Sequence, residues 1–98
     1  MTIEMKKNNE ETIIEVAGRL DTTTAPMLDK TLNEEMGNTK NLILDLNGLE
    51  YISSAGLRIL LNAQKKMQKV GSMKVKHVSE AVMEVFEMTG FADILDIE

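Results

Sequence analysis

The chain has 98 residues, 43% hydrophobic and 28% charged, with a formal charge of −5. That leaves room for one domain with one modest core, and the absence of any basic tract argues against a nucleic-acid backbone as ligand. Cysteine is absent, which excludes disulfides, a thiolate nucleophile and a cysteine metal site. No apolar run approaches the ~20 residues that cross a bilayer, and Met1–Lys7 lacks the apolar stretch of a signal peptide. The expectation is a small acidic cytoplasmic domain without membrane insertion.

In chain order, Thr2–Lys7 and Thr12–Gly18 predict two strands around a polar turn at Asn8–Glu11, a hairpin. Asp21-Thr22-Thr23-Thr24-Ala25-Pro26 is a cluster of capping residues with a proline suited to a first helical turn. Ala25, Leu28, Leu32 and Met36 then recur at helical spacing, and Gly37-Asn38 ends that helix. Leu42–Leu46 is short and mostly apolar, as a central strand covered on both faces should be. Asn47-Gly48 imitates a hairpin turn, but the helix soon after it predicts a strand-to-helix loop over Asn47–Ser54.

The second helix is predicted from Ser54 to Val70, stopping at Gly71, with Leu57, Leu60, Leu61, Met67 and Val70 as its apolar stripe. Met73–His77 predicts another strand. Ser79 caps a third helix, which turns Val82, Val85 and Phe86 inward and ends at Gly90; Ile94–Ile97 is expected as a last short strand. A hairpin followed by strand and helix alternation predicts an α/β sandwich, a mixed β-sheet with helices packed on it through right-handed crossovers. In open sheets sites gather beyond the carboxyl ends of the strands, which puts Ser54 on that rim.

Few residues offer chemistry. The Ser53-Ser54 pair opens the second helix, where a serine is first of all an N-cap. It also stands where a phosphate is well held, at the positive end of a helix. Eight methionines read mostly as core filler. Arg58, Asn62, Lys65 and Lys69 line one helical face, read as solvated, with a patch for an acidic partner as the alternative. His77 is the only histidine and has no partner set for a metal. Thr22, Thr23 and Thr24 are expected to cap the first helix and share the rim with Ser54, and Asp21 and Asp45 are acids near the loop. Without a histidine base at motif spacing or a Gly-rich phosphate loop, no catalysis and no cofactor are predicted.

The segment Leu44-Asp45-Leu46 through Leu49, Ile52 and Ser53-Ser54-Ala55-Gly56-Leu57 resembles the strand, loop and D-S-x-G-L phosphorylation motif of the STAS domain family, specifically its bacterial anti-sigma factor antagonists. Gly18-Arg19-Leu20-Asp21 resembles the family's G-x-L/I-D turn. Val78-Ser79-Glu80-Ala81-Val82 and Phe86-Glu87-Met88-Thr89-Gly90-Phe91 resemble its last helix. In order and spacing these cover nearly the whole chain as one domain.

The resemblance implies a STAS-like sandwich and a partner switch. An anti-sigma factor with serine kinase activity phosphorylates the antagonist and releases it; a metal-dependent serine phosphatase restores it, and the unphosphorylated form binds the anti-sigma factor again. Carried over by position, Ser54 is the phosphoacceptor. Ser53, Ala55, Gly56, Leu57 and Arg58 form the partner-binding surface with Asp21, Thr22 and Thr23, and Gly56 would let a partner's backbone approach. Ser53 stands where the family usually has Asp, so one negative charge beside the acceptor is missing. Arg58 stands where sporulation-type members often have a small residue. The free protein is expected to be a monomer without enzymatic activity. The alternatives are a STAS scaffold acting without phosphorylation, as a subunit of a transporter ATPase or signalling complex, and a nucleotide- or small-molecule-binding STAS domain.

Overall fold

The computed structural model describes all 98 residues. A four-stranded sheet has the order β1-β2-β3-β4, from Thr2–Asn8, Glu11–Leu20, Asn41–Ile52 and Ser72–Lys76. The hairpin pair β1–β2 is antiparallel, and β2–β3 and β3–β4 are parallel. The two parallel connections carry α1 (Ala25–Met36) and α2 (Ser54–Val70); α3 (Glu80–Thr89) and a short 3₁₀ turn at Phe91–Asp93 follow β4. The mixed sheet, the N-terminal hairpin and the packed helices are those the residue pattern predicts. The hairpin turn forms because Asn9 takes a left-handed φ of 54°, which asparagine tolerates better than most residues.

Burial on the strands has a period of two. Ile14 and Val16 on β2, Leu42, Leu44 and Leu46 on β3, and Met73 and Val75 on β4 are buried, in one cluster with Leu28, Leu32, Leu60, Met67, Val82 and Phe86 of the helices. Their alternates Ile13, Glu15, Ile43, Asp45, Lys74 and Lys76 are only half-buried. The expectation of a β3 covered on both faces is therefore corrected: helices cover one face, and the polar and charged alternates on the other meet solvent, so the strand alternates in the way a half-buried strand does. The reading of most methionines as core filler holds, with Met1 and Met83 packed against the core from its edge. Met36, Met67 and Met73 are buried, whereas Met5, Met27 and Met88 are exposed. Val70, the last member of the α2 stripe, is exposed, and Val85 is half-buried.

β3 differs most from the sequence expectation. It does not stop at Leu46 but runs on through Asn47-Gly48 to Ile52. Beyond Asp45 it leaves β4 and stays paired with β2, in the register Ala17↔Gly48, Gly18↔Leu49 and Leu20↔Ile52. Gly48 is a close-approach glycine: a Cβ there would lie 2.6 Å from the Cβ of Ala17. Ser79 takes over where β4 ends. Its Oγ donates to the Leu49 carbonyl at 3.3 Å and accepts from the Val82 N–H at 3.3 Å, joining the start of α3 to the extension of β3. At the C-terminal end, only a single bridge between Ile97 and Val75 replaces the expected strand at Ile94–Ile97, because the 3₁₀ turn occupies the residues before it.

One polar side chain is out of place in the core. Gln64 on α2 is 5% exposed, and no protein donor reaches its Oε1. A buried, unpaired acceptor costs about 1–3 kcal/mol, and methionine has a similar volume without it. Gln64→Met is expected to raise unfolding stability by about 1 kcal/mol, read as a higher urea midpoint at unchanged slope. A lower midpoint would mean that the amide is satisfied in solution.

Candidate functional site

The strand ends Leu20 and Ile52 sit side by side; Ile52 leads through Ser53 into α2, and Leu20 through the turn Asp21–Thr24 into α1. The Ser53 N–H donates to the Leu20 carbonyl at 2.9 Å, stitching the two exits together. Ser53, in extended conformation, is the N-cap of α2: its Oγ accepts from the Gly56 N–H at 3.4 Å. Ser54 is the first helical residue and is exposed. The two roles that the sequence offered for one serine are thus divided between neighbours. Ser53 is half-buried and occupied by the cap, while Ser54 presents a free hydroxyl.

Electrostatics at this helix start favour an anion. The Ser54 and Ala55 N–H groups have no acceptor within the helix. The first turn carries no acidic residue, and α2 has none along its whole length. The positive end of the helix dipole is therefore uncompensated by any residue of α2 itself. Arg58, one turn further, is exposed and belongs to none of the protein's ion pairs.

Across the strand ends, Asp21 organises the start of α1. Its Oδ1 accepts from the Thr23 and Thr24 N–H groups at 3.0 and 3.1 Å. The Thr24 hydroxyl donates to the Arg19 carbonyl at 2.8 Å and accepts from the Asp21 N–H at 2.9 Å. The Thr24 N–H above all holds the Asp21 carboxyl below the usual carboxylate range, with Thr23 helping. Thr24, the formal N-cap of α1, makes no side-chain cap bond; Asp21 instead holds the turn before the helix, and its backbone carbonyl accepts from the Ala25 N–H at 2.8 Å. Thr22 and Thr23 remain exposed.

The residues expected to meet a partner therefore fall into three groups. Ser54, Arg58, Thr22 and Thr23 are exposed and lie around the two helix starts. Ser53, Ala55 and Asp21 are half-buried, with Ser53 engaged in the cap of α2 and Asp21 in the turn before α1. Gly56 and Leu57 are buried, so their expected place on a contact surface is corrected. Leu57 belongs to the core. A Cβ on Gly56 would lie 2.7 Å from Leu20 Cγ and 2.9 Å from Ile52 Cγ1; the backbone that approaches this glycine closely is the protein's own.

Asp45 and His77 are elsewhere. The Asp45 carboxylate accepts from the Asn47 N–H and lies 3.0 Å from His77 Nδ1, about 20 Å up the strand from Ile52 at the usual rise per residue. One feature of the rim was missed in the sequence: Arg19 stacks 4.2 Å over the ring of Tyr51. The pairing Arg19↔Tyr51 follows only from the irregular β2–β3 register, which the apolar pattern does not reveal. No group of three or more His, Asp or Glu side chains converges as a metal site would require. A broad surface depression lies at the opposite end of the sheet, around Asn8, Asn9, Glu10, Glu11 and Asn41, without apolar lining. No helix is long and apolar enough to cross a membrane.

Comparisons with known proteins agree with this geometry. Over 98 residues the chain is 30% identical to the anti-sigma-B factor antagonist of Bacillus subtilis, covering 99% of this chain and 90% of that protein. It is 32% identical to the putative anti-sigma factor antagonist BtrV of Bordetella bronchiseptica, covering 99% and 85%. The fold superposes with a TM-score of 0.90 on the crystal structure of an anti-sigma factor antagonist from Mycobacterium paratuberculosis, at 24% identity over 98% of this chain and 83% of that one. It superposes with a TM-score of 0.78 on the Bacillus cell fate determinant SpoIIAA in its phosphorylated form, at 17% identity over 99% and 91%. Residues 2–98 match the family model of the STAS domain, and with the strand exits, the serine-capped helix and the relatives in accord, this chain belongs to the STAS domain family.

Proposed function

We propose that this protein is an anti-sigma factor antagonist of a partner-switching system. Its unphosphorylated form docks an anti-sigma factor with serine kinase activity, and phosphorylation of Ser54 blocks docking. The single observation that carries this reading is the division of labour at the start of α2: Ser53 makes the cap, and Ser54 presents an exposed hydroxyl with no structural duty. The docking surface comprises the exposed side chains around both helix starts, Ser54, Arg58, Thr22 and Thr23. The protein acts by binding, as a cytoplasmic regulator without catalysis of its own, and a metal-dependent serine phosphatase resets it.

Ser53 in the position of the family's usual Asp fits this reading. Serine and aspartate are both preferred N-caps, so the substitution keeps the start of α2 and removes only a charge. A phosphate on Ser54 adds about −1.5 to −2 charges where the helix dipole favours an anion by about 0.3–1 kcal/mol. The fold therefore tolerates the modification, and the docked surface does not.

Intact-protein mass spectrometry with fragment mapping, on material from the native host, tests the reading. The expected result is a single phosphate on Ser54 and none on Ser53. A protein that stays unmodified under all growth conditions would favour a constitutive scaffold, as in a transporter ATPase or signalling complex.

A further inference from the structure

We infer that Arg58 is the intramolecular receptor for a phosphate on Ser54, so that phosphorylation removes a cation from the docking face as well as adding an anion. The inference rests on the reading of Ser54 as acceptor and adds what holds the phosphate in place. Ser54 and Arg58 are four residues apart on α2, and both are exposed. Helical Cα–Cβ bonds tilt toward the N-terminus, so the Arg58 side chain leans over the turn that Ser54 begins. An anion four residues before a cation is also the favourable order for a helical pair.

Nothing in the chain competes for this guanidinium. Arg58 takes part in no ion pair, and the helix that carries it contains no acidic residue. The next cations along α2, Lys65 and Lys66, are two turns further on. The nearby acid, Asp21, is turned to its own helix start through Oδ1. A planar guanidinium matches two oxygens of a phosphate monoester in a way that a point charge does not. Before modification the first two turns of α2 present one free cation; afterwards they present a phosphate pinned by that cation.

The test is a thermal-denaturation cycle on the isolated protein. Phosphoserine is installed at position 54 by genetic encoding, and the modified and unmodified proteins are compared with Arg58 intact, with Arg58→Ala and with Arg58→Lys. The phosphate is expected to raise Tm by about 2–4 °C more with Arg58 than with alanine, the shift that an exposed helical ion pair gives a domain of this size. Lysine should recover part of the increment, and added salt should shrink it. The ³¹P resonance should shift between the Arg58 and Arg58→Ala proteins. Equal Tm increments in all three backgrounds would overturn the inference and leave only the helix dipole acting on the phosphate. Because the phosphate is encoded, this outcome is independent of any kinase. Failure of the acceptor reading would show separately, as partner binding that ignores the phosphate.

Discussion

Phosphoserine at position 54 is expected to weaken binding of the cognate anti-sigma factor by at least about 100-fold without unfolding the protein. That factor corresponds to about 2.7 kcal/mol, within the 2–5 kcal/mol typical when a charge is left unpaired in a buried contact. The free protein bears the modification easily, because Ser54 is exposed at the first helical position while Ser53 keeps the cap. The docked protein has to desolvate a dianion against whatever surface met a neutral hydroxyl. Isothermal titration calorimetry of the unmodified, phosphorylated and Ser54→Ala proteins checks the expectation. Ser54→Ala should bind within about threefold of the unmodified protein, since one neutral exposed hydroxyl contributes on the order of 0.5 kcal/mol or less. Binding of the phosphorylated form within threefold of the free form would exclude the switch. A loss in the alanine variant as large as that in the phosphorylated one would locate the effect in the hydroxyl's own contact.

The element order was legible because its signals are local. Asn8-Asn9 marks the hairpin, Pro26 sits in the first turn of α1, Ser79 caps α3, and Gly71 closes α2 at the residue where the apolar spacing stops. The far half of β3 was hidden because its period is broken. Buried Leu46, Leu49 and Ile52 recur every three residues, which no strand template matches. The register shifts opposite Glu15–Ala17 and Gly18–Arg19 of β2 each place an extra residue on β3 and absorb the difference. Asn47-Gly48 then read as the start of a strand-to-helix loop, although Gly48 is there so that β3 can lie against Ala17. The place of Ser54 on the rim was legible from the topology rule alone. Which serine caps was not, because both stand at a plausible helix start and only the backbone decides: Ser53 is extended, and Ser54 is the first residue of the helix.

Gly56→Ala separates two meanings of the same glycine through the sign of its effect on stability. Were Gly56 a clearance for a partner's backbone, alanine would gain helix propensity, about 0.5–1 kcal/mol, and Tm would rise while binding fell. The packing dictates the opposite. The new methyl would meet Leu20 Cγ at 2.7 Å and Ile52 Cγ1 at 2.9 Å, and both side chains are buried at the strand ends that seat α2. Leu20 Cγ is a branch point with little freedom to yield, and overpacking of this kind costs about 1–3 kcal/mol. That exceeds the propensity gain, so Tm is expected to fall by about 5 °C or more. The strain has one outlet, a shift of the first turn of α2 away from the sheet, and such a shift lengthens the bond from the Ser53 N–H to the Leu20 carbonyl. Amide hydrogen exchange should therefore accelerate at Ser53 and Gly56 before it does so in the middle of α2. Differential scanning calorimetry with exchange at these two amides decides the matter: a higher Tm with unchanged protection would return Gly56 to the docking surface. A lower Tm with early exchange makes it the seat on which the Ser54 hydroxyl is presented.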